Sequence, residues 1–253
     1  MPYLDNSVNV AAQKTALITG ASVGIGRAVA LKMATKKINL VLFDIDLDGL
    51  KKVQNETESL GVKTLIYKVD VSSEDSVKNA VNDAYKTFNR IDILVNNAGI
   101  WRGSNDFLDT SISRWKSIID VNLFGVVYLI NAVLPKMIKA GYGRIVNVAS
   151  VAGVYGNGGM SAYSASKGAV ISLTKALAKE VAKNGVIVNS VSPGLVSPSE
   201  EDNIDYFDLS DRCYMGRTGT DRENADAIYF LCSDEVGYVV GQNIQVDGSR
   251  RLL

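Results

Sequence analysis

The feature that most constrains this fold is a glycine turn between a strand and a helix. The apolar run Thr15-Ala16-Leu17-Ile18 leads into Thr19-Gly20-Ala21-Ser22-Val23-Gly24-Ile25-Gly26, and a helical pattern, Arg27 to Met33, opens directly behind it. Strand, glycine turn and helix N-terminus together form an anion site, because unpaired amides and the helix dipole point at one place. The spacing G-x-x-x-G-x-G is neither the G-x-G-x-x-G fingerprint nor a P-loop, which ends in Gly-Lys-Ser/Thr. The same spacing also reads as an ordinary tight βα turn, although such a turn rarely needs three glycines.

The rest of the chain continues that layout. Strands are expected near 15–19, 39–44, 63–69, 91–96, 143–149, 186–191 and 243–246, and helices near 24–36, 46–60, 73–88, 111–139, 162–183 and 221–233. Strict alternation of strand and helix predicts an α/β protein: a Rossmann-type, doubly wound parallel sheet of about seven strands with helices on both faces. A length of 253 residues suits one such domain, 1–253, with an N-terminal extension over 1–13.

A second strand, Asn39 to Phe43, ends in Asp44, 18 residues after Gly26. In a βαβ dinucleotide fold that carboxylate faces the adenine ribose, accepts from its hydroxyls and repels a 2′-phosphate. Asp46 and Asp48 follow, so the same stretch also reads as an acidic turn capping the next helix. Val23 stands where a basic residue would welcome the 2′-phosphate. A further buried strand ends in Asn96-Asn97-Ala98-Gly99. Its small residues let a ligand approach the backbone, while its asparagines can pin neighbouring strands.

The segment Ala162-Tyr163-Ser164-Ala165-Ser166-Lys167-Gly168 sets a phenol and an ammonium four residues apart on one helix face. A cation at roughly 4–5 Å, in an effective dielectric of about 20, favours phenolate by roughly 3–4 kcal/mol. Tyr163 is therefore expected to be depressed from a pKa of about 10 toward the range of general acid–base catalysis. The chain has no histidine, so a Ser-His-Asp triad, a histidine-ligated metal and a histidine base are all excluded. Proton chemistry falls to Tyr, Lys, Asp or Glu, and no metal is expected.

With these segments in order, the chain resembles the short-chain dehydrogenase/reductase family in its single-domain form. The resemblance runs from Lys14 to about Gly248 and rests on the glycine turn, Asp70-Val71, Asn96-Asn97-Ala98-Gly99, Asn122, Ser150, Tyr163-x3-Lys167 and Pro193-Gly194. It implies an oxidoreductase that interconverts a secondary alcohol and a ketone by hydride transfer. Tyr163 would be the general acid/base, Ser150 would bind the substrate oxygen, and Asn122 would anchor a proton relay. Lys167 would tune the phenol and bind the nicotinamide ribose.

Further implied cofactor contacts are Gly20, Ser22, Val23, Gly24, Ile25, Gly26, Asp44, Asp70, Val71, Asn97, Ala98, Gly99, Pro193, Gly194 and Val196, together with Tyr163 and Lys167. With Asp44 and without a basic turn residue, NAD is expected over NADP. A homotetramer built on the helices carrying Asn122 and Tyr163 is implied as well.

The substrate pocket is expected from Trp101, Val151, Tyr155, Met160, Leu195, Tyr206, Phe207 and Tyr214, with 194–215 as a lid. These residues suggest an apolar carbonyl compound. The acidic run Glu200, Glu201, Asp202, Asp205, Asp208, Asp211 reads as a solvated part of that lid; turned inward, it would disfavour anions. Two departures from the family pattern stand out. Pro198, between Ser197 and Ser199, replaces the usual threonine after Pro-Gly. The chain also resembles 3-oxoacyl-carrier-protein reductases through Gly156-Asn157-Gly158-Gly159, but of the two positions where those enzymes use basic residues to dock an acidic carrier it has Tyr128 at one and Lys179 at the other, and Asp44 argues for NAD where those enzymes usually take NADPH. That reaction is the alternative. A non-catalytic NAD-binding sensor is the alternative of another class, and such proteins usually lose Tyr or Lys from the pair.

Charge adds little, since 27 basic residues balance 27 acidic ones and give no sign of a nucleic-acid partner. Two cysteines, Cys213 and Cys232, read as reduced thiols in a cytoplasmic protein. No secretory signal is visible, and the longest apolar segment, Val121 to Leu134, is too short for a membrane span.

Overall fold

The computed structural model describes residues 13–101, 105–197 and 212–251. Seven parallel strands form one sheet: β1 (Thr15–Thr19), β2 (Asn39–Asp44), β3 (Thr64–Lys68), β4 (Ile93–Asn96), β5 (Gly143–Val148), β6 (Val186–Pro193) and, nearest the C-terminus, β9 (Asn243–Val246). Their order is β3-β2-β1-β4-β5-β6-β9, so the winding reverses between β1 and β4. A short parallel pair, β7 (Val196–Ser197) and β8 (Gly219–Thr220), stands apart from the sheet.

Register explains why the strands are apolar throughout. Leu17 lies beside Val41 on one side and Leu94 on the other, and the row continues through Ile145 to Val188. This row belongs to the core under α3 (Glu74–Phe88), α5 (Gly125–Ala140) and α7 (Ser161–Val181). The alternate row, with Ile18, Leu42, Val95 and Val146, faces α1 (Gly24–Thr35), α2 (Leu47–Ser59) and α8 (Asp221–Cys232). Side chains alternate along a strand, so both faces must be apolar when both are covered. Each large side chain fully buried there contributes roughly 1.5–3 kcal/mol.

The helix expected over 111–139 is a composite: α4 (Ile112–Ile119), one π-helical turn (Asp120–Phe124), then α5. Because the π turn joins the two without a break, the helical run from Ile112 to Ala140 spans 29 residues and is, by length and composition, apolar enough to cross a membrane. The core helix of a soluble protein passes the same test, so this is no evidence for a membrane span. Its inner face carries Leu129, Val133 and Met137 into the core. Also absent from the sequence reading is α6 (Ala152–Tyr155), a single turn directly after Ser150.

Candidate active site

The site lies at the carboxyl edge of the sheet, beside the β1/β4 reversal, where open α/β sheets bind ligands. Its floor is the glycine turn. Gly20 has φ 63°, and a Cβ there would stand 2.9 Å from the Ala98 Cα; a Cβ on Gly26 would stand 2.0 Å from the Gly20 carbonyl oxygen. β1 and β4 are clasped across this point. Thr19 Oγ1 accepts from the amides of Asn97 and Ala98 at 3.0 Å each, and Asn97 Nδ2 donates to the carbonyls of Thr19 and Gly20, also at 3.0 Å. The Asn97 amide group is thus a strand pin, the second of its two readings.

A side chain caps each of α2, α3, α4 and α8: Asp46, Ser73, Ser111 and Thr220 respectively. At α1 the cap residue is Val23, which makes no side-chain hydrogen bond and is exposed. An uncapped helix start over a glycine cradle fits the diphosphate of a dinucleotide. A Cβ on Gly24 (φ 59°) would meet nothing nearer than Asp221 Oδ1 at 3.8 Å, so that face is open. Asp44 ends β2 with Oδ2 accepting from the Ser22 amide and Oδ1 from the Asp46 amide, both at 3.0 Å. The clasp fixes the carboxylate beside the turn and leaves lone pairs for ribose hydroxyls.

Asp70 is exposed just beyond β3, where Oδ1 accepts from the amide and hydroxyl of Ser72 at 2.9 and 2.7 Å. Val71 is buried; a Cβ on Gly125 would stand 2.9 Å from its Cγ2. Pro193 ends β6, and a Cβ on Gly194 would strike the Asp247 Cα at 2.8 Å. Val196 lies in β7.

The four catalytic candidates come together. Asn122 sits in the π turn, fully buried. Its Oδ1 accepts from the Ile100 amide at 2.8 Å, while Nδ2 donates to the Ile100 carbonyl at 3.0 Å and to Ser166 Oγ at 3.1 Å. A Cβ on Gly99 would lie 3.2 Å from Asn122 Oδ1 and 3.4 Å from Lys167 Nζ, so Gly99, Asn122 and Lys167 meet at one point. Ser150 follows β5, with its Oγ accepting from the Ala152 amide at 3.1 Å, and its hydroxyl is near enough to the Tyr163 phenol to act on its pKa. Thr19, Ser166 and the backbones of Ile100 and Val148 were not anticipated. Ser166 shares a helical turn with Tyr163 and Lys167, which is the one signal that pointed to it.

Electrostatics correct one expectation. Burial raises Tyr163 above its ordinary phenol range, and only the Ser150 hydroxyl pulls the other way. Lys167 does not depress it here. Its Nζ donates to the Val148 carbonyl at 2.7 Å and stands 5.9 Å from the Tyr163 ring centroid, and burial lowers its own pKa to about 8. Helical spacing put the two groups on one face, but desolvation, not a mutual field, sets the shift of each.

Of the expected pocket residues, Val151 is buried, Met160 is half-buried, and Trp101, Tyr155, Leu195 and Tyr214 are exposed. Pro198, Ser199, Tyr206, Phe207 and the acidic residues from Glu200 to Asp211 lie outside the described residues. A cleft of about 290 Å³ between Lys14, Lys36, Ile93, Cys232 and Asp234 opens at the opposite edge of the sheet and shares no residue with this site.

Residues 14–205 match the short chain dehydrogenase family model, and the chain belongs to that family. It is an oxidoreductase acting on alcohol and keto groups. Among its relatives, the 3-oxoacyl-acyl-carrier-protein reductase FabG of Thermotoga maritima is 41% identical over 93% of this chain and 96% of its own. Cyclohexanol dehydrogenase of an Acinetobacter species (strain SE19) is 38% identical over 93% and 94%. The crystal structure of NAD+-bound xylitol dehydrogenase superposes with a TM-score of 0.87 at 32% identity, covering 93% of this chain and 98% of that one.

Proposed function

We propose that this protein is an NAD(H)-dependent dehydrogenase that interconverts a secondary alcohol and a ketone, with Tyr163 as general acid/base. The observation that carries this reading is the convergence of Ser150, Tyr163, Lys167 and Asn122 beside an uncapped glycine turn. A bound nicotinamide dinucleotide would give up the hydride in reduction and take it up in oxidation. Ser150 and Tyr163 together hold the substrate oxygen. In reduction the Tyr163 phenol gives that oxygen its proton; in oxidation Tyr163 takes the proton back. A phenol whose pKa is raised by burial stays protonated but is a weaker acid, so it parts with its proton readily only once a positive charge arrives nearby. Lys167, anchored at Val148, holds the ribose side of the site, and Asn122 fixes the Ile100 backbone against it.

NAD preference is supported by the Asp44 carboxylate, by exposed Val23 in place of a cation, and by the NAD+-bound structural relative. The second reading, reduction of a 3-oxoacyl carrier-protein thioester, is favoured by the Thermotoga relative. Of the two carrier-docking positions, Lys179 supplies a cation but Tyr128, stacked on Phe124 with centroids 6.0 Å apart, does not. We place this chain as a cytoplasmic homotetramer, an assignment supported by two free, buried cysteines and by the exposed apolar Phe124 on the outer side of the composite helix.

The test follows absorbance of the reduced cofactor with NADH and NADPH against ketones, β-ketoesters, sugars and a 3-oxoacyl thioester. Asp44→Ala should relax discrimination against NADPH by about 1–3 kcal/mol, the scale of a charge-assisted hydrogen bond. Wild-type preference for NADPH, or unchanged discrimination in the variant, would remove Asp44 from the selection.

A further inference from the structure

β9 runs parallel to β6, so it ends at the same edge of the sheet as Ser150 and Gly194. Beyond it, after Asp247, two consecutive residues take left-handed conformations, Gly248 at φ 63° and Ser249 at φ 62°. L residues such as Ser249 avoid that region unless something holds them there. The hold is a short antiparallel pairing with 212–216. Tyr214 N donates to the Ser249 carbonyl at 3.0 Å, Met215 N to Gly248 at 3.1 Å and Arg251 N to Arg212 at 2.9 Å.

The reversal delivers Arg250 to the active-site wall. Its Nη2 donates to Asn157 Oδ1 at 2.9 Å, and its guanidinium carbon lies 5.9 Å from the Tyr155 ring centroid. Tyr155 and Asn157 belong to the stretch that joins Ser150 to Tyr163. The Asn157 amide in turn donates to Oγ of Ser164, the residue next to Tyr163, at 3.2 Å. Arg250 is half-buried there.

A guanidinium carries five N–H donors in a planar fork. Asn157 uses one of them, and among the described residues Arg250 makes no ion pair. Nearby Arg217, by contrast, is paired with Glu223 at 2.6 Å. Arg251 lies 4.5 Å over the Tyr214 ring, and it adds to the positive rim with exposed Arg212. The only carboxylate in the turn itself is Asp247, whose Oδ1 accepts from the Ser249 amide at 3.0 Å.

We propose that Arg250 recognises an oxyanion on the substrate, a carboxylate or a phosphate set a few bonds from the reacting carbonyl. The fork suits either group, since both accept two parallel N–H bonds. The proposal rests on the carbonyl–alcohol reading above and narrows it from apolar ketones to keto acids, keto phosphates and their hydroxy counterparts.

The test is isothermal titration of the NADH-loaded enzyme with keto acids of increasing spacing, their neutral amides and matched keto phosphates, together with kcat/KM for each. The wild type should bind at least one oxyanion about tenfold or more tightly than its neutral partner, the scale of a charged hydrogen bond. Arg250→Gln should erase most of that ratio, and Arg250→Lys should retain part of it. Damage that is merely structural lowers both members of a pair alike and leaves the ratio standing. A wild type without oxyanion preference, or an Arg250→Gln variant that keeps it, overturns the proposal. Neutral ketones turned over with no oxyanion preference would refute this inference and leave the dehydrogenase reading intact. Selective oxyanion binding that needs Arg250 but gives no turnover would do the reverse.

Discussion

Replacing Lys167 with methionine keeps the length of the side chain and removes a charge that the fold is penalised for burying. Burial holds the folded pKa at about 8 against an ordinary value of 10.5, with the ammonium bonded only to the Val148 carbonyl among the described groups. Below about pH 8 the lysine is charged in both folded and unfolded chains, and the whole penalty, about 3 kcal/mol, falls on the folded state. Above about pH 10.5 it is neutral in both and the penalty vanishes. Methionine escapes the penalty but leaves the Val148 carbonyl without its partner, a loss of about 1 kcal/mol. Lys167→Met should therefore be more stable than wild type by about 2 kcal/mol at pH 6 and nearly equal to it at pH 9.5. Urea unfolding at the two pH values, at matched protein concentration, measures this directly. A difference between the proteins that does not change with pH would refute the argument that buried charge dominates at Lys167. The same variant should lose turnover, which makes Lys167 a group kept for chemistry at the expense of stability.

Gly26→Ala would set a methyl 2.0 Å from the Gly20 carbonyl, so the turn must move. A loss of about 3 kcal/mol or more, or a collapse of NADH affinity, is expected in thermal unfolding and fluorescence titration, and a wild-type profile in both would discredit the cradle. Burial raises Asp221 to about 6, with Arg27 opposing. Its desolvation penalty is absent below about pH 4 and complete above about pH 6. Discounted for its partial exposure, Asp221→Asn should add about 1 kcal/mol at pH 8 and almost nothing at pH 4, as read from urea midpoints. Equal gains at both pH values would contradict the assignment.

Much of the site could be read from the chain because its parts lie at fixed sequence spacing. Gly20, Gly24 and Gly26 mark the turn, Asp44 ends its strand, and Tyr163 and Lys167 share a helix face. What escaped is set by packing. A π turn adds one residue to a helical period, so Asn122 was visible as a polar residue in an apolar helix while the turn that buries it was not. Spacing placed Lys167 near Tyr163, but the carbonyl of Val148 and the depth of burial come from a different strand. Ser249, Arg250 and Arg251 lie beyond the motifs that the sequence analysis could use. Only the pairing with 212–216 reveals a left-handed serine and a guanidinium beside the stretch that joins Ser150 to Tyr163.

The central claim is that the Tyr163 phenol carries the proton. The most direct test is Tyr163→Phe, measured for kcat on the substrate with the fastest turnover and for NADH affinity by fluorescence. The account predicts that kcat falls by about 10²–10⁴, the contribution of a positioned general acid, while NADH affinity stays within a few-fold. A variant turning over within tenfold of wild type would contradict it.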